Sequence, residues 1–323
     1  MKKKIIATIE ILAAVAFYVF LYKVASEHFQ QLKELDQITD YNNFEYKYLF
    51  IALFLVVPNW LLEAVKWRSA IMPIEPITLG TAVKGVLKGI PPSTFTPNRV
   101  GETIGRPSVL TPGNRISGAI ATAYCGISQM PVMLIFAAAG SAWLMLNGVD
   151  FGNIDFVATP YIICIATICA VLASILFYHP QWLVRLLKNK RRFLKILQKL
   201  EFFTKYDLQT KHTIIALSAA RYMVYSTQNL LLILAAGINI GVADGLAVVF
   251  LTYGIISFVP RPALAELGVR CSVAVLLLQP YTNNIVLPAA ASAALWIINI
   301  LIPCIVGTFF YLKRKKTQKN FAQ

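Results

Sequence analysis

Long apolar segments alternate along the chain with short polar ones. No Asp, Glu, Lys or Arg occurs between residues 116 and 149 or between residues 271 and 312. About 20 apolar residues in a helix already cross the hydrocarbon core of a bilayer. The pattern therefore predicts an all-α fold, a polytopic integral membrane bundle of about eight transmembrane helices. The predicted crossings are residues 5–22, 48–66, 116–146, 156–178, 213–236, 242–258, 271–278 with a backward extension, and 285–312.

The polar gaps between these segments alternate in the sign of their charge. Acidic residues prevail in the gaps 23–47, 150–155 and 237–244, whereas nine bases lie between residues 185 and 211. Cytoplasmic loops of membrane proteins are enriched in Lys and Arg. We therefore predict that the basic gaps and both termini lie in the cytoplasm.

Domain organisation follows from the same pattern. We predict a single membrane domain over residues 1–323, with a first half at about 1–178 and a second half at about 212–312. A basic amphipathic linker at about 179–211 joins the halves, and a basic cytoplasmic tail follows at 313–323. The linker either lies on the anionic inner leaflet as a topology determinant or recruits an acidic lipid headgroup or partner.

Composition changes the interpretation of the charge. A formal net charge of +15 would suggest nucleic acid as the partner of a soluble protein, but 57% of this chain is hydrophobic and its bases lie in loops. We therefore expect no nucleic-acid partner. The five cysteines lie in apolar segments without a CxxC pair, and the three histidines lie far apart, so we predict neither a metal site nor a cofactor.

Two segments interrupt the regular crossings. Residues 77–90 are apolar but short and run into the proline-rich stretch 91–97, while prolines also interrupt residues 252–278. Irregular backbone at membrane depth is tolerated only where protein or a watery cavity lines it. We therefore predict broken or re-entrant helices at corresponding positions of the two halves, which is where transporters place their substrate site.

These two segments share a weak internal repeat. Each has a proline break followed by a Glu-x-x-x-Arg unit, Pro97 with Glu102 and Arg106 in the first and Pro260 with Glu266 and Arg270 in the second. On a helix, Glu and Arg at this spacing share a face and can pair. The units either neutralise themselves at a helix start or form part of a central site.

Further polar residues fall within predicted crossings. Arg221, Tyr225 and Gln228 follow one another at helical spacing on one face, and Arg221 either pairs with an acid such as Glu102 or Glu266 or recognises phosphate. Glu63 lies near the inner end of its crossing, where snorkelling to the interface would explain it. The predicted substrate-binding residues are Arg99, Glu102, Arg106, Arg221, Tyr225, Gln228, Glu266 and Arg270, with Asn59, Glu63 and Asn98 as secondary candidates; no catalytic residue is predicted.

At these residues the chain resembles the membrane domain of the lysylphosphatidylglycerol synthases, a flippase-like transmembrane family. The resemblance spans residues 49–310, and its most specific part is the block Pro97-Asn98-Arg99-Val100-Gly101-Glu102. It also covers Asn59-Trp60, Glu63, Lys66-Trp67-Arg68, Arg221-Tyr222, Tyr225, Gln228, Pro260 and Gly268-Val269-Arg270. In that family a double glycine stands where this chain has Ala263-Leu264-Ala265-Glu266.

The resemblance implies a bundle that moves polar lipids between leaflets of a bacterial cytoplasmic membrane, without the aminoacyl-transfer domain of the full synthases. The expected partners are phospholipids with anionic or zwitterionic headgroups, and a lipid-modifying enzyme is a further candidate. Two alternatives stay open. One is a membrane enzyme or accessory subunit on a lipid-linked intermediate with Glu102 or Glu266 as acid–base group, and the other is a non-catalytic scaffold.

Overall fold

The computed structural model describes residues 44–94, 96, 99–149, 151, 159–182, 206–258 and 266–310. All of these residues belong to one compact unit that begins at Phe44. The predicted crossing at 5–22, most of the basic linker and the tail at 313–323 lie outside them. The α-helices are α1 (Tyr46–Phe54), α2 (Val56–Ile71), α3 (Leu79–Thr94), α4 (Glu102–Gly105), α5 (Arg115–Leu146), α6 (Thr159–Tyr178), α7 (Leu208–Ala235), α8 (Val242–Phe258), α9 (Glu266–Leu278) and α10 (Val286–Trp296).

The described part of the chain is helical and contains no strand. Three helical stretches in it are long and apolar enough to cross a membrane, namely Tyr46–Ile71, Pro112–Leu146 and Val286–Phe310. The helices Ile163–Tyr178 and Val242–Phe258 are apolar but shorter. The prediction of an all-helical fold is therefore confirmed, and the apolar helices indicate a membrane protein.

Helix α7 lies at the centre of the bundle. It packs against α1, α2, α5, α8 and α10, and this surrounding explains why polar residues in its middle are not exposed to lipid. Its C-terminal half contributes Leu230 and Ile233 to an apolar core with α8, α9 and α10. Nearer its N-terminus, Ile214 belongs to a second apolar cluster that contains Trp67 and Phe177.

Two long helices are irregular near their middles. The stretch Tyr46–Ile71 is interrupted at Leu55, because Pro58 cannot donate a hydrogen bond and its ring clashes with the carbonyl of Phe54, four residues earlier. After α10, the residues Ile297–Leu301 form a π-helical turn. Such turns occur often at functional sites. Asn299 and Ile300 of this turn line a cavity among the helices.

Between α3 and α5 the chain doubles back on itself. A Cβ atom on Gly101 would lie 2.0 Å from the carbonyl oxygen of Pro92, and one on Gly105 would lie 2.3 Å from that of Lys88. Only glycine fits at both positions. Because the later glycine lies against the earlier residue of α3, α4 runs antiparallel to the end of α3. Arg99 adopts a φ of 60°, a left-handed conformation that helps to reverse the chain. The predicted irregular segment is therefore a tight helical hairpin.

Candidate functional site

A cavity of about 480 Å³ lies among the helices. Residues of α2, α4, α5, α7, α8 and α9 line it, together with the π-helical turn. Both predicted halves thus contribute to one cavity. Of the predicted substrate-binding residues, six are among its lining: Arg99, Glu102, Arg106, Arg221, Tyr225 and Arg270.

Glu63 is the central carboxylate of this cavity. Its oxygens lie 2.8 Å from Nζ of Lys66, 2.6 Å from Nη1 of Arg106 and 3.2 Å from Nη1 of Arg221. The side chains of Glu63 and Lys66 are only 4% and 2% exposed. A position at the membrane interface was therefore the wrong interpretation of Glu63, because its three cationic partners hold it inside the protein. Arg221 pairs with Glu63, and not with the predicted partners Glu102 or Glu266.

Glu102 contacts two arginines, Arg99 and the same Arg106 that contacts Glu63. It begins α4, and Arg106 follows one helical turn later, so the guanidinium of Arg106 meets the Glu102 carboxylate as the spacing predicts. Arg99 Nε lies 3.2 Å from the other Glu102 oxygen. A Cβ atom at Gly89 of α3 would lie 2.6 Å from Cγ of Arg106. Glycine at this position therefore leaves the room that the Arg106 side chain needs between Glu63 and Glu102.

The second Glu-x-x-x-Arg unit forms a separate cluster at the cavity. Arg270 donates from Nη2 to Glu266 at 2.8 Å and from Nη1 to the Tyr225 hydroxyl at 3.0 Å. Its guanidinium also lies 5.7 Å from the centre of the Tyr253 ring, within the range of a cation–π contact. Glu266 pairs with Arg270 but is not part of the cavity lining.

A chain of buried amides connects α1, α2, α7 and the π-helical turn. Asn59 Nδ2 donates to Asn299 Oδ1 at 2.7 Å, and Asn299 Nδ2 donates to Gln228 Oε1 at 2.8 Å. Gln228 Nε2 then donates to the backbone carbonyl of Ala52 at 2.7 Å. Asn59 and Asn299 line the cavity, whereas Gln228 lies behind Asn299. The structure therefore gives Gln228 a contact with neighbouring helices, not with the cavity.

Positive charge exceeds negative charge around the cavity. Its lining contains the five cationic side chains Lys66, Arg99, Arg106, Arg221 and Arg270. Three carboxylates compensate part of this charge, namely Glu63 and Glu102 in the lining and Glu266 beside Arg270. Five positive and three negative charges leave an excess of two positive charges among the described residues.

These carboxylates do not satisfy every donor of the arginines. Arg99 Nη2, Arg106 Nε and Arg221 Nε are buried and have no hydrogen-bond partner within the described part of the chain. Arg221 also lies over the Trp60 ring, at 5.8 Å from its centre. A planar guanidinium that is already oriented by a carboxylate and an aromatic ring can offer its remaining donors to a second anion.

Sequence reasoning missed Lys66, Trp60 and Asn299 as members of the site. Asn299 carried a detectable signal, since it is one of few amides in the uncharged stretch 271–312. Asn98, a secondary candidate, lies outside the described residues. Among the residues that the structure describes, no group of three or more His, Cys, Asp and Glu side chains could hold a metal ion.

The cavity thus combines cationic, amide and apolar side chains, among them Met130 and Met133. Such a lining can receive a molecule with an anionic head and an apolar body. Comparisons with protein-family models, with curated proteins and with solved structures found no match to this chain.

Proposed function

We propose that the chain is a multi-pass membrane protein that binds a polar lipid by its headgroup and moves it between the two leaflets. The proposal places about eight crossings in a bacterial cytoplasmic membrane with both termini in the cytoplasm. It agrees with the resemblance to the flippase-like membrane domain of the lysylphosphatidylglycerol synthases. The observation that carries it is the cavity with an excess of two positive charges inside an apolar helical bundle.

The cost of charge inside a membrane supports a functional interpretation of this cavity. One Arg or Lys at the centre of a transmembrane helix costs about 2.5–3.5 kcal/mol even on insertion scales. Five such residues surround the cavity, and the carboxylates that pair with them leave the excess uncompensated. An anionic headgroup would supply the missing negative charge. It would thereby compensate the arginines inside the bundle.

The chemistry and size of the cavity fit a lipid headgroup. Arg donors match phosphate oxygens in a bidentate geometry, and Arg99, Arg106 and Arg221 surround the same two carboxylates. A volume of about 480 Å³ lies within the usual range of small-molecule sites. Met130 and Met133 add apolar, adaptable surface on which the first part of an acyl chain can lie.

Transport, and not catalysis, is the proposed activity. The enzyme hypothesis requires Glu102 or Glu266 as a general acid or base. Glu102 contacts Arg99 and Arg106, and Glu266 contacts Arg270. Guanidinium groups of the protein thus occupy both carboxylates, which favours a role in orienting the arginines over proton transfer to or from a bound lipid.

The test is a leaflet-accessibility assay in proteoliposomes that compares Arg221→Gln with Arg115→Gln. Both variants carry the same substitution, but Arg115 is exposed and is not part of the cavity lining. We expect Arg221→Gln to lower the rate of lipid movement at least about tenfold, since a lost charge-assisted hydrogen bond costs roughly 1.5–3 kcal/mol. Arg115→Gln should keep the wild-type rate. Full transport by a well-folded Arg221→Gln protein would contradict the proposal.

The topology is tested separately. Accessibility tags at both termini should react from the cytoplasmic side, and a tag next to Asp36 should react from the outside, because the acidic gaps are assigned to that face. A tag at Asp36 that reacts only from the cytoplasm would overturn the assignment of every later loop.

A further inference from the structure

We infer that the cavity selects lipids whose headgroup carries a net negative charge and discriminates against zwitterionic and cationic aminolipids. This inference rests on the proposed function and narrows its substrate class. It follows from the way in which the charges around the cavity are already paired.

Each of the three described carboxylates in or beside the cavity is engaged by a cation of the protein. Glu63 contacts three cationic side chains and Glu102 contacts two. Glu266 contacts Arg270. An ammonium group of a lipid would therefore have to take a carboxylate away from an arginine or a lysine. Because Lys66 and Arg106 are buried, with side chains 2% and 5% exposed, the displaced cation would lose its compensation inside the protein.

Two neutral acceptors do not change this conclusion. The side-chain oxygens of Asn59 and Gln129 are buried, and neither accepts a hydrogen bond from another described residue. Both residues line the cavity, so after a small rearrangement their oxygens could accept a hydrogen bond from a hydroxyl or an ammonium group. An amide oxygen carries no net charge, however, and it cannot offset the repulsion between an ammonium group and two excess positive charges.

The net charge of the headgroup should therefore set the order of affinity. A headgroup of charge −1 is attracted by the excess positive charge, a zwitterionic headgroup gains less, and a headgroup of charge +1 is repelled. The interaction between unit charges a few ångströms apart near a protein surface exceeds the thermal energy several-fold, even after screening by the surrounding protein and water. We expect affinity to fall at least about tenfold for each added unit of positive headgroup charge.

The primary experiment measures binding and movement of three lipids by the wild-type chain. The lipids are phosphatidylglycerol, phosphatidylethanolamine and lysylphosphatidylglycerol with identical acyl chains, each diluted into phosphatidylcholine vesicles. The expected order is the anionic lipid first, the zwitterionic lipid second and the cationic lipid last. If the three lipids bind and move equally well, the inference is overturned while the proposed function stands. If none binds or moves, the proposed function fails and the inference fails with it.

A soluble-competitor arm distinguishes a lipid from a free phosphate. Inorganic phosphate and glycerol phosphate are added at concentrations equal to that of the anionic lipid. We expect neither to displace the lipid, because they lack the apolar body that Met130 and Met133 can contact. Displacement at equal concentration would assign the cavity to soluble phosphate compounds and would overturn the inference that it selects lipids.

A charge-change variant tests the cause of the selectivity. Gln129→Glu adds an uncommitted carboxylate to the cavity lining, which lowers the positive excess from two to one at almost constant shape. The matched control is Gln209→Glu, an exposed position in the first turn of α7. Gln129→Glu should reduce the preference for phosphatidylglycerol over lysylphosphatidylglycerol at least about tenfold, whereas the control should keep it. An unchanged preference in a folded Gln129→Glu protein would overturn the charge-based explanation.

Discussion

Glu63 should be the carboxylate on which the stability of the cavity depends most. Glu63→Gln keeps the size of the side chain and removes its charge. The substitution leaves Lys66, Arg106 and Arg221 without a shared anion and raises the positive excess from two to three. The partner that loses most is Lys66, because Arg106 keeps its contact with Glu102 and Arg221 keeps its contact with the Trp60 ring.

The expected loss is about 3–5 kcal/mol, the range found when one partner of a buried ion pair is removed. Glu102→Gln should cost less, because Arg99 is 27% exposed and can be partly hydrated, and Arg106 keeps Glu63. The matched control is Glu45→Gln. Glu45 lies directly before α1, but it and its partner Lys47 have side chains that are 50% and 62% exposed. Surface ion pairs contribute at most about 1 kcal/mol, so the control should remain close to wild type.

The assay is thermal unfolding of the purified chain in detergent, followed by size-exclusion chromatography after heating. Domains of about 150–250 residues lose about 2–4 °C of midpoint per kcal/mol, so the Glu63→Gln midpoint should fall by roughly 6 °C or more. A double-mutant cycle with Lys66→Met isolates the central pair. Because the double variant removes both charges together, it should be more stable than the sum of the single effects implies, by about 1–3 kcal/mol.

Two results would refute this reasoning. If Glu63→Gln destabilises the chain no more than Glu45→Gln does, the three cations around Glu63 do not depend on its charge. If the single effects of Glu63→Gln and Lys66→Met simply add, the 2.8 Å contact between these side chains contributes nothing that a double-mutant cycle detects.

Two further predictions concern residues outside the ion network. The pKa of Glu75 lies below its ordinary value of 4.5, chiefly because the Asn114 amide donates to its carboxylate. A depressed pKa in the folded chain stabilises the fold above the pKa of the unfolded state, and this contribution is lost as the pH falls through the folded-state pKa. The unfolding midpoint should therefore fall less between about pH 6 and pH 3 in Glu75→Gln than in wild type; equal losses would contradict the prediction. Asn299→Leu breaks the buried amide chain and should lower the free energy of unfolding by about 1–3 kcal/mol. Asn147→Leu replaces an exposed amide and should lower it less in the same thermal assay. Equal losses would contradict this second prediction.

The sequence predicted the parts of the fold that depend on local patterns. The apolar stretch predicted at 116–146 corresponds to α5 at Arg115–Leu146, and the stretch predicted at 242–258 corresponds to α8. Length and lack of charge suffice to locate such helices. Both Glu-x-x-x-Arg units also form ion pairs, because residues at this spacing meet on one face of a helix whatever surrounds them.

Prediction from the sequence failed for residues whose contact partners are distant along the chain. The crossing predicted at 48–66 ended too early, because Lys66 looked like a residue of the cytoplasmic interface. In the structure α2 continues to Ile71, and Lys66 is buried against Glu63. A buried charge is tolerated only when other charges compensate it, and here Arg106 and Arg221 arrive from other segments of the chain. No local pattern around Glu63 contains that information.

The buried amide chain, by contrast, left a signal that can be recognised in retrospect. Pro58 ends α1 early, and the last carbonyl groups of a helix lack partners within it, so the Ala52 carbonyl can accept the hydrogen bond from Gln228. Pro303 cannot donate to the carbonyl of Asn299, and the π-helical turn Ile297–Leu301 lies just before it. In both helices a proline removes a backbone hydrogen bond beside a buried amide. Pro58 directly precedes Asn59, and Pro303 follows Asn299 by four residues. A proline close to a lone amide therefore marks both positions where these apolar helices are irregular and polar side chains connect them.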